Sequence, residues 1–183
     1  DFVITTQELI MMIKEAGIVF NEIEPEAVDM PFGTMTGAGV IFGVTGGVTE
    51  AVIRRVSTDK SLASLRNLAF EGVRGFEGIK ELEVPLGDKA IKVCVVNGLR
   101  NVEVIMNRMK AGEHFDLIEV MACPNAGQPK ATIDEKKERS VNLYNADKLC
   151  TLKRSEENPL MDKLYEGILK GREHELLHVS YVK

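Results

Sequence analysis

The spacing of apolar residues sorts the chain into helical and strand-like stretches. Thr5-Thr6-Gln7-Glu8 has the pattern of a capping box, in which Thr5 caps a helix and Glu8 reaches back three residues. Leu9, Ile10, Ile13 and Ala16 follow at helical spacing, and Gly17 fits the stop. The apolar run over residues 2–4 before this helix predicts a strand. Residues 21–30 are acidic around Pro25 and predict a surface loop. Residues 49–56 predict a helix, continued or followed by another over 59–70, and Gly72, Gly75 and Gly78 then break the pattern. Residues 91–96 are near-continuously apolar, as in a strand buried on both faces, and Asn97-Gly98 ends them. Over residues 101–111, Val102, Ile105, Met106 and Met109 share one helical face, and Gly112 closes the helix. Residues 115–120 predict a second buried strand, and Met121-Ala122-Cys123-Pro124 leaves its C-terminal end. The charged stretch 130–140 reads as a solvated linker or a helix start. Leu143-Tyr144, Leu149 and residues 159–169 predict short helices over the core.

Strand, helix, strand with short joins is a βαβ unit, which favours a parallel sheet. The predicted fold is therefore α/β, a short parallel sheet flanked by helices, with a C-terminal helical wrap. Residues 1–129 form the expected lobe, and 130–183 the wrap packed on it. Ligands of such sheets collect at the carboxyl ends of the strands, where Cys123 falls.

Composition narrows the function. The 183 residues are about one domain's worth, and 44% hydrophobic with 28% charged residues is ordinary for a soluble globular protein. A net charge of -5 offers no basic field to nucleic acid or to anionic lipid. No apolar run approaches the roughly 20 residues of a membrane span, and the first six residues do not read as a signal peptide. Cys94, Cys123 and Cys150 are odd in number, far apart and form no CxxC pair. That argues against a disulfide framework and makes a reducing cytoplasm the expected compartment.

Three features carry candidate chemistry. Gly33, Gly37, Gly39, Gly43, Gly46 and Gly47 crowd into residues 33–47. Gly37-Ala38-Gly39-Val40-Ile41-Phe42-Gly43 has one residue too many for a dinucleotide fingerprint, and no clear strand precedes it. Gly43-Val44-Thr45-Gly46-Gly47 runs directly into a helix, where glycines let backbone N–H groups approach a ligand and the helix N-terminus favours negative charge. An anionic metal cluster would suit such a nest. A glycine-lined turn needed only for tight helix–sheet packing fits equally well. Cys123 is the second feature: a thiol at a strand end can ligate iron, with the Met121 thioether packed beside it, or be merely structural. The third is His174-Glu175-Leu176-Leu177-His178, an H-E-x-x-H match that would bind zinc with Glu175 as general base. Only five residues follow His178 and the only other histidine is His114, so a third ligand is hard to find. The alternative is an amphipathic last helix docking Leu176 and Leu177.

Several of these stretches together resemble one family. The run Thr36-Gly37-Ala38-Gly39-Val40-Ile41-Phe42-Gly43-Val44-Thr45-Gly46-Gly47-Val48-Thr49-Glu50-Ala51 resembles the glycine loop of FeFe (iron-only) hydrogenases, and Glu119-Val120-Met121-Ala122-Cys123-Pro124 resembles the start of their third cluster motif. Val73-Arg74-Gly75 with Gly78-Ile79-Lys80-Glu81, Arg154-Ser155-Glu156-Glu157-Asn158-Pro159, and Glu175-Leu176-Leu177-His178 with Tyr181 match in the same order. The resemblance implies reversible reduction of protons to dihydrogen at an H-cluster, a 4Fe–4S cubane joined through a cysteine to a two-iron site. It implies Cys123 as one of four thiolate ligands and Met121 beside the two-iron site. It places Phe42, Gly43, Thr45, Gly46 and Gly47 in the loop walling the cluster pocket. Two further cysteines, and the family's proton path, belong to an upstream half of the catalytic domain, on the same or a second chain. A ferredoxin-like or other electron carrier is the implied partner.

One departure bears on all of this. The family's third motif runs on from its first cysteine through Gly-Cys to a glycine-rich Gln-Pro, whereas here Asn125 is followed at once by Ala126-Gly127-Gln128-Pro129. The cysteine that bridges the two halves of the cluster is absent. The segment belongs to the intact protein but is missing from this sequence, or it was removed by design, or the chain is a natural non-catalytic relative. The first is preferred, because a glycine-rich cluster loop has little to order it without its metal. The expectation is a hydrogenase fragment that is inactive and without its cluster as this chain alone. The alternatives are a non-catalytic scaffold or sensor and, more remotely, a zinc hydrolase using His174, Glu175 and His178.

Overall fold

The computed structural model describes residues 3–27, 29, 33–57, 74–75, 77–86, 89–122 and 132–178. It divides into two compact units, 1–31 and 32–183. In the first, α1 (Thr6–Glu15) starts at the predicted capping box. The Glu8 backbone N–H donates to Thr5 Oγ1 at 3.2 Å, and the Thr5 N–H donates to the Glu8 carboxylate at 2.5 Å. Gly17 ends the helix at φ +70°. Where a strand was expected at residues 2–4, Val3 and Ile4 are not in one, and Phe2 lies outside the described residues.

The second unit is built on a three-stranded sheet of order β1-β2-β3, with β1 Ile79–Leu86, β2 Lys89–Asn97 and β3 Leu117–Met121. β2 and β3 are parallel, joined by the helix α4 (Leu99–Lys110), as the βαβ reading requires. β1 is antiparallel to β2, so the sheet is mixed rather than wholly parallel. The period-two alternation of β2 feeds both faces. Val93 packs with Ile53 and Val84 on one face, while Cys94 and Val96 pack with Ile105 and Phe115 on the other. Ile53 belongs to α3 (Gly47–Val56) and Ile105 to α4, so each face of the sheet is covered by one helix.

The remaining helices are α2 (Gly37–Val40), which leads through a 3-10 turn (Ile41–Gly43) toward α3, then α5 (Ile133–Leu149), α6 (Pro159–Glu166) and α7 (Glu173–Leu177). The helix expected over 59–70 lies outside the described residues. α5 is a single 17-residue helix begun by a second capping box, Thr132 with Glu135. Its inward face is polar: Lys136, Ser140 and Asp147 are buried, whereas Val141 and Leu149 are exposed.

That polar face meets an ion network. Arg54 of α3 donates to both carboxylate oxygens of Asp147 at 2.9 and 2.8 Å, and to Glu50 at 2.6 Å. Arg74 donates to Glu50 from the other side, at 2.9 Å, and stacks over the Tyr144 ring at 3.9 Å. Two carboxylates thus meet two guanidiniums. Burial opposes the Arg54 charge, but Asp147 and Glu50 outweigh it and hold its pKa above the ordinary value. Arg154, also buried, donates to the Arg54 carbonyl at 2.9 Å and to Glu157 at 2.9 Å. These bonds, with Leu143 packed on Gly43, place the helical wrap and the sheet in one unit. The compact division falls after Pro31.

The turn into α3 needs two glycines for different reasons. Gly46 sits in the left-handed region at φ +82°. Gly47 lies so close to the preceding turn that a Cβ there would stand 1.8 Å from the Ile41 carbonyl oxygen. Gly47→Ala is therefore expected to destabilise the chain by roughly 1–3 kcal/mol, the usual range for overpacking a tight site. Urea unfolding measures it, and a midpoint equal to that of the unmodified chain would refute the close approach.

Candidate functional site

The carboxyl ends of β2 and β3 meet the glycine turn, and a small set of buried polar groups joins them. Thr45, 2% exposed, donates from Oγ1 to Asn97 Oδ1 at 2.5 Å. Asn97 donates in turn from Nδ2 to the Glu77 carbonyl at 2.6 Å, and its own carbonyl accepts from Asn101 Nδ2 at 2.7 Å. The Gly98 N–H donates to the Met121 carbonyl at 2.7 Å, which ties the end of β3 to the start of α4. From β3, the Glu119 carboxylate reaches the turn. It accepts from the Gly46 N–H at 2.8 Å and from the Thr49 N–H at 2.7 Å, and Glu119 is 8% exposed.

The predicted loop residues divide between two places. Thr45, Gly46 and Met121 gather at the sheet's carboxyl ends around Asn97 and Glu119. Phe42, half exposed, instead lines a groove of about 530 Å³ with Ala51 and Val52 of α3 and Met161 and Tyr165 of α6. Gly43 lies against Leu143, 2.9 Å from where a Cβ would be. Gly47 is held by its N–H on the Val44 carbonyl at 3.0 Å. Cys123 lies outside the described residues, as does the Asn125–Ala126 join.

This geometry changes the nest reading. Two of the amides at the N-terminus of α3 are already bonded to a carboxylate of the chain itself. The negative charge favoured at that helix end is Glu119. No role was read for Glu119 in the sequence. The available signal was an acidic residue inside an otherwise apolar strand, Leu117-Ile118-Glu119-Val120-Met121, directly before the cysteine turn.

The thiols and imidazoles are equally instructive. Cys94 is fully buried in the core of β2, and burial pushes its thiol up to about 11. Cys150 sits at the C-cap of α5. His174 and His178 stand on the same side of α7 with ring centroids 4.8 Å apart, and both are exposed. Glu175 faces Arg172 at 3.4 Å. Among the described residues no three His, Cys, Asp or Glu side chains converge as a metal site. Among those residues His174 and His178 have no third ligand of the kind that zinc hydrolysis needs.

The comparisons with known proteins agree with one another. A family model described as "Iron only hydrogenase large subunit, C-terminal domain" matches residues 1–126, and one described as "Iron hydrogenase small subunit" matches residues 133–183. The chain belongs to the iron-only hydrogenase family. It is 40% identical to the NADP-reducing hydrogenase subunit HndD of Solidesulfovibrio fructosivorans, over 100% of this chain and 33% of that protein. It is 39% identical to iron hydrogenase 1 of Clostridium pasteurianum, over 100% of this chain and 35% of that protein. Cytosolic iron-sulfur assembly component 3 of Mus musculus is 25% identical over 99% of this chain and 41% of that protein. Among solved structures, an FeFe-hydrogenase described for its oxygen inactivation superposes with a TM-score of 0.63 at 35% identity, over 98% of this chain and 54% of that one. A HydA1 variant from Chlamydomonas reinhardtii gives 0.62 at 34% identity, over 100% of this chain and 55% of that one. The chain thus spans about a third of the length of the first two curated relatives.

A thiol with so high a pKa inside a β core reacts slowly with alkylating reagents. Iodoacetamide at pH 8 is expected to leave Cys94 unmodified in the folded chain and to label it once urea is added, as read by peptide mass. Labelling of Cys94 in the folded chain would contradict its placement in the core.

Proposed function

We propose that this chain is part of the catalytic unit of an iron-only hydrogenase, and that the complete unit interconverts protons and dihydrogen with electrons delivered by a ferredoxin-like or other carrier. The observation that carries this reading is the 40% identity running through the whole chain, glycine loop and pre-cysteine strand included. In the complete protein an H-cluster, a 4Fe–4S cubane joined to a two-iron site, would supply the redox chemistry. This chain's contribution to its ligation is Cys123, with Met121 and the 42–47 loop as neighbours of the pocket. Two further thiolates come from the upstream region that its relatives possess and this chain does not span, and the fourth, the bridging cysteine, belongs to the segment missing between Asn125 and Ala126. By itself the chain is inactive, since one thiolate does not replace the four that hold a cubane. The working compartment is the cytoplasm, on the ground of three cysteines without a disulfide pattern. Among the described residues no helix is long and apolar enough to cross a membrane.

A second reading rests on a specific observation. The sequence passes from Asn125 straight to Ala126-Gly127-Gln128-Pro129 without a second cysteine. Proteins named cytosolic iron-sulfur assembly component 3 are similar over 99% of the chain. A non-catalytic relative acting as scaffold or sensor has no use for a bridging thiolate.

Anaerobic reconstitution with iron and sulfide separates the two. The chain alone is expected to evolve no hydrogen from reduced viologen, and evolution from a preparation containing only these residues would overturn the fragment reading. Fused to the upstream region of the Clostridium relative, it is expected to show the electron paramagnetic resonance of a reduced cubane. That signal should be lost on Cys123→Ser. A fusion whose iron is unaffected by that substitution favours the non-catalytic reading.

A further inference from the structure

Glu119 occupies an unusual position. It lies on β3, two residues before Met121 and four before Cys123, yet its carboxylate points back to the glycine turn 70 residues upstream. Both oxygens are engaged, one by the Gly46 N–H at 2.8 Å and the other by the Thr49 N–H at 2.7 Å. The site is dry, with Glu119 8% exposed, Thr45 2% and Thr49 fully buried. Charge-assisted bonds to backbone amides are strong, and losing the acceptor in a dry site leaves two N–H groups without partners. Lys80 is a cation on which Glu119 acts. It is buried, with its pKa lowered by that burial and partly restored by Glu77 and Glu119. Its ammonium donates to the Gly75 carbonyl at 2.9 Å.

We propose that Glu119 is a positioning residue: an internal anion that sets the glycine turn before any ligand arrives and locks it to the strand that precedes Cys123 in the sequence. Three consequences follow from the geometry. The N-terminus of α3 is closed to an outside anion, because its own carboxylate already sits there. The carboxylate that holds the turn belongs to the chain itself, so on this proposal the turn needs no cofactor to form. Its position is coupled to the end of β3 through one side chain, so a shift of β3 is passed to residues 46–49. The coupling matters for hydrogen chemistry only if the hydrogenase reading holds, but the interaction itself is tested without iron.

The substitution of choice is Glu119→Gln, which keeps the volume but replaces one acceptor by an N–H₂ donor facing another donor. Amide-resolved hydrogen exchange on the metal-free, full 183-residue chain reads the outcome. The Gly46 and Thr49 amides are expected to be protected in the unmodified chain. At least one of them should exchange tenfold or more faster in Glu119→Gln, with Val93 to Val96 of β2 unchanged. Glu119→Asp, which keeps both acceptors, should restore part of the protection. Unchanged protection in Glu119→Gln overturns the proposal, and so does an equal loss across β2, which would make Glu119 a general stabiliser of the sheet. If Glu119→Gln does not fold, the unmodified chain still decides: protection of Gly46 and Thr49 only after iron is loaded would show that the turn is set by the cofactor. Failure of the hydrogenase reading looks different, since it removes iron binding in the fusion and leaves this exchange pattern intact.

Discussion

A single guanidinium with almost no access to water organises the larger unit. Arg54 binds Asp147 of α5 through both nitrogens of its fork and Glu50 of its own helix through one. Only arginine has the planar donors to satisfy two carboxylates from one side chain. The arrangement constrains its neighbours severely. Gly37 must lack a side chain, because a Cβ there would stand 2.0 Å from Asp147 Oδ1. Residues 37 and 38 are held by their N–H groups on the Leu152 and Lys153 carbonyls, just after α5, at 2.8 and 3.1 Å. The chain therefore joins its glycine region, α3 and the C-terminal wrap around one buried charge cluster, beside the buried Ala38, Ile41 and Val44. Replacing one member alone leaves an unpaired charge in a dry place, which is the costly case for buried ion pairs.

This explains what could be read from the sequence and what could not. β2 and α4 were legible because their inward residues are apolar: Val93, Cys94, Val95 and Val96 are all buried, as is Ile105; β3 was legible from its apolar run despite the buried Glu119. The ends of α1 and α4 were legible because capping and positive-φ glycine are local chemistry. β1 escaped because Lys80 takes an inward position beside Leu82 and Val84, breaking the alternation that would announce a strand. α5 was read as a linker or a set of short helices for the same reason: its buried face carries Lys136, Ser140 and Asp147, and Arg54, the partner of Asp147, lies 93 positions away. A period in hydrophobicity finds apolar contacts only.

The candidate site follows the same rule. The glycine loop and the pre-cysteine strand were visible as motifs and led to the family. Their joint was not, because an acidic residue within a strand gives no hint of the amides it will meet. The structure shows a loop held at Thr45 by Asn97 and at Gly46 and Thr49 by Glu119. A portion of a catalytic unit benefits from walls that are rigid before the rest of the unit closes on them, since preorganised groups need no rearrangement at the moment of use.

The central claim is that the ionic contact between α3 and α5 joins the glycine region to the C-terminal wrap. A double-mutant cycle on Arg54→Met and Asp147→Asn, read by urea unfolding, tests it most directly. The account predicts a coupling energy of about 2 kcal/mol, in the range found for residues sharing one buried network. Additive effects, within about 0.5 kcal/mol, would mean that the two side chains do not stabilise the fold through each other and would contradict the account.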